Sequence, residues 1–586
     1  MERLRGNLPL LLIWLAVCAV LILVTRGQIM TGIGWDPDDQ LRMVQLRDWL
    51  GGQSWFDTTQ YRIGEPDSQP MHWPRWIELP LALMFLLLKP VLGAASAETA
   101  AMVIVPLITL GIAMWLVMKI TQFVFDRNIA ILAAALTATA VPIVAQIRPM
   151  RVDHHGWQIV LALAALWTLC WPEKRKGGIA LGVALALWLS ISLEGLPLSA
   201  AFVVLLVWRW VLQTEEGVRL FWTLVSFLAA SFLFYFAGQG GFDAAVNYCD
   251  ALSPAHLLAC TAGAAVILPS IRWLPASIVI RVASLAIAGA AALTVLYGVA
   301  PQCMGGAFNT MDPIVREYWL VNVLEGLPIW YQNGKTMVTL VGGSILVGLI
   351  SLLYILRSRP AGVDRGRLFV SGYAFLWALV LSVFVQRATA VAAAFALPFM
   401  AWAVHHVFVR ARALKRPLSR IFATAAVVFL ILPGPLAIAL FNAVSEAEQP
   451  AAKTPESLAC KSDESLARLN ALPRSNILAP LDFGPRILLL TPHSVLATSH
   501  HRNDKAMADQ IRILTSAPDA ARDLLEAHNI RFIVACEAEP ELALYANKQP
   551  EGLWAQLVEG RKPAWLQPVH IRDNDLLVWR IAPKGL

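Results

Sequence analysis

Charge is scarce in this chain. Asp, Glu, Lys and Arg together make up 15% of its 586 residues against 57% hydrophobic. With a mean hydropathy of +0.59, that balance excludes an ordinary soluble enzyme and indicates an integral membrane protein. A glycine-rich nucleotide-binding fingerprint is not visible either. The net charge of +7 is not a nucleic-acid signature, because most Lys and Arg fall in short loops, where membrane orientation needs them. No nucleic-acid partner is expected. No small-x-small cleavage site follows the apolar run from Leu8 to Val24, so that run, preceded by Arg3 and Arg5, reads as an uncleaved first span with its N-terminus in the cytoplasm. Cysteine is sparse, with seven in all. Cys249 with Cys303 and Cys460 with Cys536 are each candidates for a disulfide in an oxidising compartment, or for small unpaired apolar residues.

What is there in abundance is apolar runs of membrane-crossing length. About 20 residues cross a hydrocarbon core of about 30 Å as a helix. Further spans are expected near 98–119, 129–146, 157–171, 178–192, 196–212, 219–237, 255–270, 275–299, 336–356, 368–385, 388–409 and 420–442. With the first, that makes about thirteen. Loops carrying Glu173-Lys174-Arg175-Lys176, Arg272, Arg357 with Arg359, Arg365 with Arg367, and Arg410 through Arg420 fall on the cytoplasmic side, the positive-inside pattern. The run Leu79–Leu88 is short and followed by Lys89-Pro90; read as interfacial or re-entrant, it keeps Asp36 and Asp153 on one outer face. Met71-His72-Trp73-Pro74-Arg75-Trp76 reads as an interfacial anchor cluster.

The expected fold is a polytopic α-helical membrane protein with a small C-terminal α/β extracytoplasmic domain. Residues 1–442 form the transmembrane part, with a first outer loop at 25–97. A Pro, Ala and Glu rich linker at 443–455 leads to the polar domain, 456–586. There, Asn476 to Pro480 and Arg531 to Cys536 read as buried strands, and Ala517 to His528 as an amphipathic helix.

Three acidic patches fall in outer segments: Asp36 with Asp38 and Asp39, Asp153 with His154 and His155, and Glu317 with Glu325. Carboxylate oxygen beside imidazole nitrogen suits Mn²⁺ or Mg²⁺, and a site with open positions also takes a diphosphate. Asp36 before Pro37 reads as a helix start, with the helix running through Leu50. Glu194, in a tight outer turn, is a further candidate carboxylate. Arg387 suits phosphate, since guanidinium matches its oxygens in a fork, and equally suits an interface anchor. His500-His501-Arg502-Asn503 reads either as a glycan or phosphate contact or, better, as a solvated loop.

Trp35-Asp36-Pro37, followed by Arg42 and then Trp55-Phe56-Asp57, resembles the first outer loop of oligosaccharyltransferase catalytic subunits, members of the GT-C glycosyltransferase superfamily. Asp153-His154-His155 is similar to the second metal motif of the archaeal members. The resemblance implies Asp36, Asp153 and His155 as metal ligands, with His154 as a neighbour. It also implies Glu325, in Val321-Asn322-Val323-Leu324-Glu325, as the acceptor-orienting carboxylate, with Glu317 as runner-up. Arg387 resembles the arginine that contacts the lipid-linked diphosphate. The likeness in span number and outer tail covers the whole chain.

One motif departs from that pattern. Where the family has Trp-Trp-Asp-x-Gly for reading the acceptor sequon, this chain has Pro480-Leu481-Asp482-Phe483-Gly484. Asp482 and the glycine remain and both tryptophans are gone. The resemblance therefore implies a metal-dependent glycosyltransferase, taking sugar from a polyprenyl phosphate or diphosphate carrier at the outer face of the cell's inner membrane. The expected acceptor is a glycan or lipid, with Asp36 or Glu325 orienting it. The alternatives are a protein oligosaccharyltransferase and a lipid-linked glycan flippase.

Overall fold

Backbone groups inside hydrocarbon can bond only within the chain, so apolar runs fold as helices. The computed structural model describes residues 2–240, 246–275, 277–431, 460, 462–536, 539–572 and 575–583, and helices dominate it. Among the described residues, eight helices are long and apolar enough to cross a membrane: Asn7–Val24, Ala94–Val124, Leu193–Leu212, Thr214–Gln239, Pro254–Trp273, Ile278–Val299, Arg365–Phe384 and Gln386–Arg412. Two more segments qualify only as bent pairs, Arg127–Thr139 with Val141–Ile147 and Gly334–Val341 with Ser344–Ser358, which brings the number to ten. The chain is a multi-pass membrane protein.

Both bent pairs correct an expectation of continuous spans at 129–146 and 336–356. The first bends by 67° because Thr137–Thr139 tightens into a 3₁₀ turn and Ala140 leaves the helical region at ψ 95°. A new helix then starts with Pro142 in its first turn, where the missing N–H costs nothing. The second bends by 53° at Gly342-Gly343, with Gly343 at φ −89°, ψ −115°; paired small residues are a usual cause of such kinks. The remaining three expected segments correspond to His155–Leu169, Lys174–Ile191 with three cations in its first turn, and Pro417–Ile431. The linker at 443–455, the end of the last expected span and the first residues of the tail lie outside the described residues. The Leu79–Leu88 run sits in a 15-residue helix, Glu78–Leu92, whose reach of about 22 Å falls short of a perpendicular crossing of about 30 Å.

The chain forms two compact units. The first comprises Met1–Ile29, Leu79–Asn309 and Leu324–Glu448; the second comprises Met30–Glu78, Thr310–Val323 and Gln449–Leu586. In the first, Lys174–Ile191 lies against Gly217–Gln239 across Gly177, Gly178 and Gly182. A Cβ at Gly182 would run into Ser226 Oγ and the Thr223 carbonyl, so the small residue is what lets the two backbones approach. Thr389–Arg412 is buried almost continuously from Thr389 to Trp402. Cys249 and Cys303 are joined as a disulfide, Cα atoms 5.0 Å apart.

In the second unit, β1 (Asn476–Leu478), β2 (Ser494–Val495), β3 (Ile530–Ala535), β4 (Leu566–Pro568) and β5 (Leu577–Ile581) form one sheet in the order β2-β1-β3-β5-β4. β1 runs parallel to β2 and β3, and β5 antiparallel to β3 and β4. Leu478, Leu496, Met507, Ile511, Ile533 and Trp554 share a core with Met311, Val315 and Tyr318 from Thr310–Val323. Cys460 bonds Cys536.

The first loop is bonded into this same unit. Arg62 donates to the carbonyls of Leu488 (2.8 Å) and Thr491 (3.0 Å), and Arg47 to Leu489 (2.7 Å). Ile63 bridges Val495 in parallel fashion. The expected anchor cluster at Met71–Trp76 is corrected here: Trp73 and Arg75 are 3% and 1% exposed, far too buried to sit at an interface. Arg75 and Arg42 both pair with the buried Glu78, at 3.0 and 3.1 Å, and the Arg42 guanidinium lies 4.5 Å over the Trp73 ring. The solvated-loop reading of His500–Asn503 is corrected too. His500 and Asn503 are buried, Arg502 donates to the Met71 carbonyl at 3.0 Å, and the His501 ring lies 4.3 Å from that of His72.

Candidate active site

The Asp153 segment opens on a backbone cost. Met150, fully buried, has φ 70°, a left-handed conformation that costs a residue with a side chain about 1–2 kcal/mol; its N–H donates to the Met102 carbonyl at 2.9 Å. Strain of this kind persists where surrounding structure holds it, commonly at functional sites. Beyond it, Asp153 accepts from Arg151 Nη2 (2.6 Å), from His155 Nδ1 (2.8 Å) and from the His155 backbone N–H (2.9 Å). Burial pushes the Asp153 carboxyl up, but the Arg151 guanidinium and the His155 ring outweigh it and hold the carboxyl well below the usual range. Burial pushes the neighbouring His154 imidazole down, with the His155 ring acting in the same direction.

A carboxylate at Nδ1 fixes the ring orientation, and in the neutral imidazole it leaves the Nε2 lone pair facing outward. His155 Nε2 is buried with no hydrogen-bond partner; it lies 4.0 Å from Glu194 Oε2. His154 Nε2 lies 3.6 Å from the same oxygen. Gln158, one helical turn beyond His155, donates to it at 2.9 Å. Glu194 sits in the 3₁₀ turn Leu193–Gly195, where Ser192 Oγ accepts from its backbone N–H. Gly195 is needed there, since a Cβ would press into the Trp188 indole.

Arg387, in the 3₁₀ turn Gln386–Ala388, completes the group. Its Nη1 pairs with Glu194 Oε1 and its Nη2 with Glu325 Oε1 at 3.1 Å. The Gln386 N–H donates to the Leu327 carbonyl at 3.0 Å, tying the Glu325 turn to the Arg387 turn. The first unit thus gathers Asp153, His154, His155, Glu194, Glu325 and Arg387 into one network. Glu317 goes elsewhere: it pairs with Lys548 at 3.0 Å in the second unit.

Asp36 also belongs to the second unit. It caps Pro37–Leu50 in a capping box, accepting from the Asp39 N–H at 3.1 Å while Asp39 accepts back from the Asp36 N–H at 3.3 Å. Arg42 is in the buried pair with Glu78 described above. Asp57 accepts from the Thr59 N–H and the Tyr61 hydroxyl, both at 3.0 Å, and so shapes its own loop. Arg151 and Gln158 were not singled out from sequence as candidate site residues. The only signal for Gln158 was a polar residue three places after His155 on an otherwise apolar helix.

Asp482, exposed after β1, faces another carboxyl. Glu541 accepts from the Leu481 N–H at 2.8 Å and from the Tyr545 hydroxyl at 2.6 Å. Burial, with the Asp482 charge adding, pushes its carboxyl from 4.5 up to about 8. Between those values the unfolded chain has released the proton that the folded chain keeps, so stability falls as pH rises from 4.5 to about 8. Glu541→Gln is expected to flatten that decline, seen as a smaller drop in Tm between pH 5 and pH 8 for the variant; an unchanged profile refutes the assignment.

Long helices joined by turns that carry Glu194 and Arg387, and a tail sheet that shares its unit with Met30–Glu78 and Thr310–Val323, belong to a GT-C-like fold. Among solved structures, the chain is similar to the archaeal oligosaccharyltransferase AglB from Archaeoglobus fulgidus in complex with an inhibitory peptide and a dolichol-phosphate, with TM-score 0.63 and 15% identity over 89% of this chain and 69% of that one. It is also similar to the Archaeoglobus fulgidus enzyme tethered to an acceptor peptide containing the NVT sequon (TM-score 0.60, 16% identity, 95% and 72% covered). A third match is that enzyme in complex with Zn and sulfate (TM-score 0.54, 16% identity, 89% and 67% covered). At these identities the likeness is one of fold. No family model matches the sequence, and no curated protein sequence does.

Proposed function

We propose that the protein is a membrane glycosyltransferase that moves a sugar or oligosaccharide from a polyprenyl phosphate or diphosphate carrier to a glycan or lipid acceptor. In this reading it works at the outer face of the inner membrane, with about thirteen spans and the tail outside. The observation that carries the proposal is Arg387 held between Glu194 and Glu325 beside the Asp153–His155 pair: a phosphate-matching cation, carboxylates and an oriented imidazole. Arg387 would bind the carrier's phosphate oxygens and stabilise the charge that grows on them as the anomeric bond breaks. Glu325, released from Arg387 when phosphate takes its place, would accept a hydrogen bond from the acceptor hydroxyl and take its proton.

A divalent ion, Mn²⁺ or Mg²⁺, fits the donors present. The outward Nε2 of His155, buried and with its Nδ1 bonded to a carboxylate, has the form of a ligating imidazole. His155 would hold the ion through Nε2, with Asp153 orienting its ring through Nδ1; Asp153 as a direct ligand, like Asp36, enters through the sequence resemblance. Bound there, an ion supplies positive charge against the leaving phosphate.

The test is sugar transfer by the purified protein from a radiolabelled polyprenyl-linked donor to a crude envelope glycolipid fraction. Transfer that stops on chelation and returns with Mn²⁺ or Mg²⁺ supports the proposal. A protein oligosaccharyltransferase would instead glycosylate a sequon peptide, which the loss of the tryptophan pair before Asp482 argues against. A flippase would move the carrier between leaflets without sugar transfer and without loss in Asp153→Ala.

A further inference from the structure

The carboxylate of Glu194 has two oxygens with different surroundings. Oε1 meets Arg387. Oε2 faces the Nε2 atoms of His154 and His155 at 3.6 and 4.0 Å and takes one hydrogen bond, from Gln158 at 2.9 Å. One ligand atom from each of His154, His155 and Glu194 lies within 4.8 Å of the others. His154 and His155 are 3% and 5% exposed, and their rings lie 4.3 Å apart. His155 Nε2 is a buried polar atom with no hydrogen-bond partner, pointed into this gap.

Two imidazole nitrogens and one carboxylate oxygen converging on a space of this size are a ligand set for a divalent cation. Mg²⁺ prefers oxygen ligands and water, whereas imidazole suits transition ions. We propose that Glu194 and His154 join His155 in holding the ion, and that this pair of imidazoles makes the site prefer Mn²⁺ or Zn²⁺ over Mg²⁺. This rests on the ion reading given under the proposed function and extends it to residues that reading leaves out.

Glu194 then serves two cations at once, Arg387 through one oxygen and the ion through the other. Gln158 positions the carboxylate by holding Oε2 on the histidine side. Because Arg387 draws charge away from the ion, removing it should tighten ion binding. A Glu194 whose only task is to hold Arg387 would give no such effect.

The experiment is Mn²⁺ titration of the full-length protein in lipid nanodiscs, followed by electron paramagnetic resonance, with Mg²⁺ as competitor. Wild type is expected to bind Mn²⁺ with two coupled imidazole nitrogens and to resist a hundredfold excess of Mg²⁺. Glu194→Gln is expected to weaken binding at least tenfold, His154→Ala to leave one coupled nitrogen, and Arg387→Met to tighten binding several-fold. The nitrogen count is read on bound ion only, so it does not depend on how much variant protein folds. Wild-type affinity in Glu194→Gln, a single coupled nitrogen in wild type, or Arg387→Met weakening the ion as Glu194→Gln does would each overturn the proposal. Failure of the glycosyltransferase reading is distinct: sugar transfer would be absent while these binding results stand.

Discussion

Arg387→Met is expected to lower sugar transfer by about 10²–10³-fold, the range seen when one preorganised donor to developing negative charge is removed. Arg387 pairs with Glu194 at Nη1 and Glu325 at Nη2, and Glu194 would keep the guanidinium in place when phosphate replaces Glu325. That fixing is what makes the loss large, because the group needs no reorganisation as charge develops. Arg387→Lys should recover only a small part, since an ammonium cannot bridge two oxygens in a plane. The measurement is single-turnover transfer from a saturating polyprenyl-linked donor. A variant within threefold of wild type would remove Arg387 from the reaction.

The second large effect is on stability. Glu78 is buried and pairs with both Arg42 and Arg75, themselves buried. Glu78→Leu removes the carboxylate these two guanidinium groups share, and breaking a buried pair by deleting one partner typically costs about 3–5 kcal/mol. Arg75 also donates to the carbonyls of Gln45 and Trp55, each at 3.1 Å, so the damage should reach the Pro37–Leu50 helix. Hydrogen exchange in that helix should accelerate by at least about a hundredfold, at a factor of ten per about 1.4 kcal/mol. Unchanged exchange would mean that the cluster relaxes without cost.

Local signals were legible in the sequence where one short stretch decides the structure. Asp36-Pro37 announced its helix, because an N-cap carboxylate and an N1 proline act within a few residues of each other. The core strands β1 and β3 were legible as apolar runs, whereas β2 has only two residues and β4 exposes Gln567 and Pro568, so neither shows such a run. The breaks at Ala140 and Gly343 were not read, since hydropathy averages over a window wider than a bend.

For the site, residue types were legible and partners were not. Glu194 stood out as an outer carboxylate, yet nothing in its neighbourhood named Arg387, 193 residues away. Arg42 and the Met71–Trp76 cluster looked like site or interface residues because sequence gives charge and aromaticity but not burial. Glu78, which both arginines require, opens an apolar run and gave no signal of its own. The segment Thr310–Val323 likewise joins the core of the second unit through Met311, Val315 and Tyr318, a long-range choice no local pattern encodes.

The bond between Cys249 and Cys303 encloses two helices, Pro254–Trp273 and Ile278–Val299, each long enough to traverse the bilayer. If both helices cross, the chain goes over and comes back between the two cysteines, which puts both thiols on one side of the membrane, where an oxidising compartment lets them join. A protein in which one of these two helices failed to cross would strand its thiols on opposite sides and leave them unjoined. The disulfide would then be a covalent record of how these two helices were threaded, one that a thiol-reactive mass tag could read from each molecule after synthesis.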